Sequence, residues 1–210
     1  MKNFLQKIKK SEKPILILIC GMPVARKSST AIELASKLNW QIVVGTDEIR
    51  EIMRKYDRDP FLQGVSHDRW KLLGRKTDKN FILGFLKHCQ VIKKGVDTVL
   101  EESARNGKNL IIEGVHLLPS LYENLKSFKK FHFVLFVNSF AQHQAIIRNK
   151  ILSRHGRQKD NWTQKEKDLF KIQEYFVREA KESKNTYIVK SSNPQESIVK
   201  KIIKILKKEI

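Results

Sequence analysis

Residues 15–38 read ILILICGMPVARKSSTAIELASKL. An apolar run ends at Gly21, a short loop leads to Lys27-Ser28-Ser29-Thr30, and an amphipathic helical pattern follows. This is the strand–loop–helix frame of a phosphate-binding loop, whose usual form is G-x-x-x-x-G-K-[ST]. Gly21, Lys27 and Ser28 stand in register, whereas the second glycine position holds Arg26. Such a loop wraps a polyphosphate with inward N–H groups and the positive end of the next helix. Gly21, Met22, Pro23, Val24, Ala25, Arg26, Lys27, Ser28 and Ser29 are therefore the expected ATP-binding stretch, with Lys27 on the β- and γ-phosphates and Ser28 on Mg²⁺. If position 26 needs a left-handed backbone, arginine costs about 1–2 kcal/mol there, roughly tenfold in affinity. Its guanidinium would also add positive charge beside a triphosphate.

The bulk properties narrow the classes. The 210 residues suit one α/β domain, with 40% hydrophobic residues to fill a core. No apolar run reaches membrane-spanning length, and the N-terminal MKNFLQKIKKSEK lacks the unbroken apolar core of a signal peptide. The expectation is a cytoplasmic protein with no membrane partner. Cys20 and Cys89 fit no metal or redox spacing. The net charge of +20 points to anionic partners, nucleic acid among them. It is equally read as a solvated, lysine-rich surface of the kind found in heat-adapted proteins.

Strand and helix patterns alternate along the chain. Strands are expected over 15–20, 41–44, 109–112, 131–137 and 187–189, and helices over 27–38, 47–55, 80–106 and 140–154. A capping box, Thr163-x-x-Glu166, opens a further helix with Leu169, Ile172, Phe176 and Ala180 on one face. Asn193-Pro194 starts a last one with Ile198, Ile202 and Ile205 inward. Residues 1–13 read as a basic arm and 56–79 as irregular. The alternation implies an α/β fold: a doubly wound parallel sheet of about five strands with helices on both faces, as in P-loop kinases, in a single domain over 1–210.

Ligands of such sheets gather at the carboxyl ends of the strands. The second strand runs into GTDEIREIMR, residues 45–54, which puts Asp47, Arg50 and Arg54 on one helical face. Asp47 would take the proton from an attacking hydroxyl, and the arginines would hold an anionic acceptor. Alternatively, Asp47 caps the helix and the arginines are surface charges. The third strand leads into LIIEGVHLLP, residues 110–119. Glu113 there is a candidate Mg²⁺ ligand, and His116 either touches substrate or is a loop histidine. Arg148, Arg154 and Arg157 mark residues 140–165 as a lid that would bring arginines to the transferring phosphoryl.

GTDEIREIMR, LIIEGVHLLP, the region of Trp70, ILGF with the helix after it, STAIELASKL and KIQEYFVREAKE together resemble the archaeal 2-phosphoglycerate kinases. The resemblance covers nearly all of the chain beyond the N-terminal arm. It implies a P-loop kinase that makes 2,3-bisphosphoglycerate from ATP and 2-phosphoglycerate. By position it implies Lys27 and Ser28 on ATP and Mg²⁺, Asp47 and Arg50 at the acceptor, and Glu113 and His116 beside it. Loops of that family carry glycine at the positions of Val24 and Arg26, and threonine at that of Ser29.

Two other functions stand beside this one. A polynucleotide or RNA hydroxyl kinase would suit the +20 charge and the Asp-x-x-Arg after the second strand. A non-catalytic nucleotide fold that binds nucleic acid or protein would suit the two missing glycines.

Overall fold

The computed structural model describes residues 2–23, 25–142, 144–145, 166–192 and 194–210. Its centre is β1 (Ile15–Gly21), in which all seven residues are buried. With β2 (Val43–Gly45), β3 (Leu110–Gly114), β4 (Lys129–Phe136) and β5 (Thr186–Lys190) it forms a five-stranded sheet of order β2-β3-β1-β4-β5. Every pairing is parallel, with Ile17 opposite Ile111 on one side and Phe131 on the other. A strand between two others and covered on both faces reads as a continuous apolar run, as β1 does.

Alternate β1 side chains enter two separate cores. Leu16, Leu18 and Cys20 pack beneath α3 (Thr46–Tyr56), α4 (Asp78–Arg105) and α5 (Glu166–Glu182). Ile15, Ile17 and Ile19 pack beneath α1 (Lys2–Lys9), α2 (Lys27–Leu38) and α6 (Gln195–Glu209). The doubly wound architecture expected from the sequence is thus present. α2 stops at Asn39, whose φ of 57° is left-handed. The pattern over 80–106 is one unbroken helix, α4, opened by Thr77, whose side chain accepts a hydrogen bond from the Asn80 amide at 3.1 Å.

Three expectations change. The basic arm is the helix α1, because Phe4 and Ile8 lie one turn apart and bury themselves in the second core. The irregular stretch 56–79 contains a 3-10 helix over Ser66–Leu73. The second strand is displaced to Val43–Gly45, so its end coincides with the start of α3. Residues 146–165, with Arg148, Arg154, Arg157, the expected lid and Thr163 of the capping box, lie outside the described residues, as do Val24 and Asn193. Among the described residues no helix is long and apolar enough to cross a membrane.

Both cysteines are buried in the first core, and burial pushes each thiol pKa up. Among the described residues three histidines, His88, His116 and His132, are fully buried. His132 Nε2 donates its N–H to the Leu117 carbonyl oxygen at 3.1 Å. His88 Nδ1 does the same with the Phe61 carbonyl. His116 stacks obliquely on His88 with ring centroids 4.9 Å apart. Burial lowers the pKa of His88 to about 4 and of His132 to about 3, and holds His116 well below the ordinary value.

These shifts fix the sign of a pH dependence. A histidine whose folded pKa is depressed takes up its proton preferentially in the unfolded chain. Its contribution is complete above the unfolded pKa near 6.5 and is lost as pH falls towards the folded value. His88 and His132 should each cost roughly 2 kcal/mol of unfolding free energy between pH 7 and pH 5, and His116 acts in the same direction. Urea unfolding at both pH values measures this, and His132→Phe should reduce the difference by roughly 2 kcal/mol.

Candidate functional site

The loop after β1 leaves the sheet where Gly21 lies against β4. A Cβ on Gly21 would collide with the Leu135 carbonyl oxygen, so glycine here serves the exit of the loop from the sheet. The loop turns through an Ala25 amide to Met22 carbonyl bond of 3.1 Å, and α2 begins at Lys27. Arg26 precedes it with φ 61° and ψ 26°, the left-handed conformation that the missing glycine would supply freely. The position does require that backbone, and this chain bears the strain. Lys27 Nζ donates to the Met22 carbonyl at 3.1 Å and so lies back over its own loop.

Ser28 Oγ donates to Glu113 Oε1 at 2.6 Å. β3 pairs with β1, so the residue at the end of one strand meets the first turn after the other. A hydroxyl and a carboxylate in contact are hard oxygen ligands of the type Mg²⁺ takes, so this pair fits that ion. From the far side of the loop, α6 sends Gln195 to the same turn: Ser29 Oγ lies 3.2 Å from its Oε1, and its Nε2 donates to Thr30 Oγ1 at 3.1 Å. The sequence pattern held no signal for Gln195, which contacts the loop only through the folded layer.

α3 stands at the end of β2. Its cap is Gly45, and Asp47 lies one residue inside the helix, so the capping alternative for Asp47 does not hold. Thr46 packs on Gly114, where any Cβ would collide with its hydroxyl. Asp47 Oδ1 is 3.1 Å from Arg50 Nη1, with the Asp47 side chain 63% exposed and that of Arg50 14%. Glu51 then bridges Arg50 at 2.9 Å and Arg54 at 2.5 Å. Burial opposes the Glu51 charge, but hydrogen bonds from Arg54 and Arg50 outweigh it and hold this carboxyl below its ordinary pKa.

A cavity of about 210 Å³ joins these parts. It is lined by Met22 and Pro23 of the loop, by Asp47 and Arg50 of α3, by Ser66 and His67, and by the apolar Val115, Leu169 and Ile172. The expected neighbours Asp47 and Arg50 thus meet the phosphate loop. Ser66 and His67 were not foreseen, because the stretch around them has no periodicity to read. A larger cavity, about 510 Å³, opens at the other end of β4 around Lys129 and Phe131.

Three expected substrate residues sit elsewhere. Arg54 is consumed by the loop that follows α3: its Nε donates to the Leu62 carbonyl at 3.0 Å, and Nη2 donates to that of Gly64. Trp70 lies outside the cavity walls, with Lys76 Nζ 5.7 Å from its ring centroid. His116 is buried with Nδ1 2.8 Å from Thr46 Oγ1 and Nε2 3.0 Å from Ser66 Oγ. Both ring nitrogens are engaged, so His116 joins the residue before Asp47 to a cavity wall instead of facing a substrate.

No family model matches the chain. Similarity to curated proteins is extensive. The chain is 33% identical over 187 residues to the 2-phosphoglycerate kinase of Methanocaldococcus jannaschii, covering 86% of this chain and 60% of that protein. It is 30% identical over 217 residues to that of Pyrococcus furiosus, covering 98% of this chain and 71% of that protein. Several relatives are thus substantially longer than the matched region. Among solved structures, deoxyadenosine kinase from M. mycoides with bound dATP superposes with a TM-score of 0.56 at 15% identity, over 91% of this chain and 99% of that one. A sugar kinase from Janibacter sp. HTCC2649 gives 0.54 at 12% identity, over 91% and 93%. The structural likenesses show the P-loop kinase fold. The sequence likeness, spanning nearly the whole of this chain and 71% of the Pyrococcus furiosus protein, shows that the chain belongs to the 2-phosphoglycerate kinase family.

Proposed function

We propose that this chain transfers the γ-phosphoryl group of ATP to the hydroxyl of a small phosphorylated hydroxy acid, with 2-phosphoglycerate as acceptor and 2,3-bisphosphoglycerate and ADP as products. The observation that carries this reading is the cavity in which Asp47 and Arg50 face Met22 and Pro23 of the phosphate loop. At about 210 Å³ it is smaller than the roughly 300–1,000 Å³ of drug-sized ligand sites. That size favours a compact metabolite over the end of a polynucleotide as acceptor. Use of ATP supports reading the protein as cytoplasmic.

The residues divide the work. Arg50, mostly shielded from solvent, would hold the acceptor's phosphate or carboxylate, exchanging its Asp47 or Glu51 partner for that group. Asp47, relieved of Arg50 and exposed on the cavity wall, would accept the proton of the attacking hydroxyl. As that oxygen bonds to the γ-phosphorus, the bond to the β–γ bridging oxygen breaks and ADP leaves with the electron pair. Lys27 would swing from the Met22 carbonyl to the β- and γ-phosphates. Ser28 and Glu113 would hold Mg²⁺, which neutralises charge on the phosphate oxygens when bound.

Three variants test the assignment. Lys27→Ala should abolish turnover, and an unchanged kcat would remove the loop from the reaction. Asp47→Asn should lower kcat by about 10²–10⁴ with ATP binding preserved. Arg50→Ala should instead raise KM for the acceptor; these are read from initial rates with ATP and 2-phosphoglycerate varied separately.

Arg26→Gly separates strain from function. Relief of about 1–2 kcal/mol of left-handed strain, less the entropic cost of glycine, should stabilise the fold by about 1 kcal/mol in urea unfolding. Because that strain belongs to the fold, ATP affinity and kcat should change little. A fall in kcat would assign the Arg26 guanidinium to the transferring phosphoryl.

A further inference from the structure

Of the two helical layers, one carries a marked excess of positive charge and the other none. In the layer of α1, α2 and α6, nine lysines besides Lys27 stand against three glutamates. In the layer of α3, α4 and α5, twelve basic residues are matched by twelve acidic ones. A uniform enrichment in lysine would raise both layers together. The asymmetry therefore belongs to the surface and not to the composition.

Its densest part is α6. At 100° per residue, Lys200, Lys201, Lys204, Lys207 and Lys208 fall within an arc of about 120°. All five are exposed, opposite the buried Ile198, Val199, Ile202 and Leu206. Among the described residues Lys200 pairs with Glu196 at 2.7 Å, and no carboxylate pairs with the other four. Lys207 Nζ lies 5.9 Å from the Phe4 ring centroid, which sets α1, with exposed Lys2, Lys7 and Lys9, beside the stripe.

We propose that this layer binds the phosphate backbone of double-stranded nucleic acid, without regard to sequence and apart from the acceptor cavity. Lys200 to Lys208 spans about 12 Å along a straight helix, a length over which a duplex offers several phosphates. Lysines contact phosphates as point charges and position a protein on the backbone, whereas sequence reading needs side chains at base edges. Single strands are gripped by aromatic platforms, and neither α1 nor α6 exposes an aromatic residue. A membrane-surface helix needs free apolar side chains to insert, and those of α6 are sealed in the core.

The test is fluorescence anisotropy of labelled 30-base-pair duplexes of two unrelated sequences with the purified chain, from 50 to 200 mM KCl. Both duplexes should bind alike. With about five phosphates neutralised, affinity should fall by about 10²–10³ across that range. The triple variant K200Q/K201Q/K204Q should weaken binding at least tenfold at 50 mM KCl and flatten the salt dependence. A control triple on the balanced layer, K79Q/K94Q/K181Q, should stay within about threefold; melting curves establish that both are folded. Equal losses in the two triples would overturn the proposal in favour of net charge alone, as would absence of duplex binding at 50 mM KCl. Stripe-dependent binding to vesicles containing phosphatidylserine that exceeds binding to the duplex would replace it with a membrane surface.

Discussion

The burial of β1 on both faces is the constraint from which the rest follows. Each of its side chains is removed from solvent, and such burial is worth about 1.5–3 kcal/mol for each large aliphatic residue. With β3 and β4 as neighbours, its direction and register are fixed from two sides. The phosphate loop is the continuation of that strand, so its starting point has little freedom. Glu113 at the end of β3 is brought to Ser28 by the same pairing. The loop and its contact with Glu113 thus hang from a fully buried strand.

The other half of the site is ordered differently. α3 carries Asp47, Arg50, Glu51 and Arg54 as a chain of alternating charges, each held by the next. Exposed ion pairs stabilise little one by one, but here they orient the two residues that face the cavity. Arg54 extends the chain to the carbonyls of the following loop, and His116 links Thr46 to Ser66. The wall formed by α3 is therefore a polar framework, and the wall formed by the loop after β1 is an extension of the apolar core.

What the sequence disclosed depended on the range of the interactions involved. β1 and α2 were legible because a continuous apolar run changes there to a helical period around Gly21. The left-handed backbone at Arg26 was legible because the loop motif calls for glycine there. α1 was hidden, since three lysines around Phe4 and Ile8 give the segment a polar composition although these two apolar residues share a face. The work of Arg54, His116 and Gln195 was hidden because their partners are distant in the chain or lie in aperiodic segments. The total charge could be counted from residues alone. Its division between layers could not, because that depends on which helices the strand order places together.

The two thiols offer a window on the motions of this core. Cys20 lies in β1, Cys89 in α4, and both belong to the packing between the sheet and that helix. Alkylation needs an exposed thiolate, and burial denies both the exposure and the charge. In the closed protein neither sulfur reacts. The rate at which a small iodoacetamide probe labels them under native conditions therefore reports the opening of α4 from the sheet, an internal clock for the breathing of the layer in which α3 is packed.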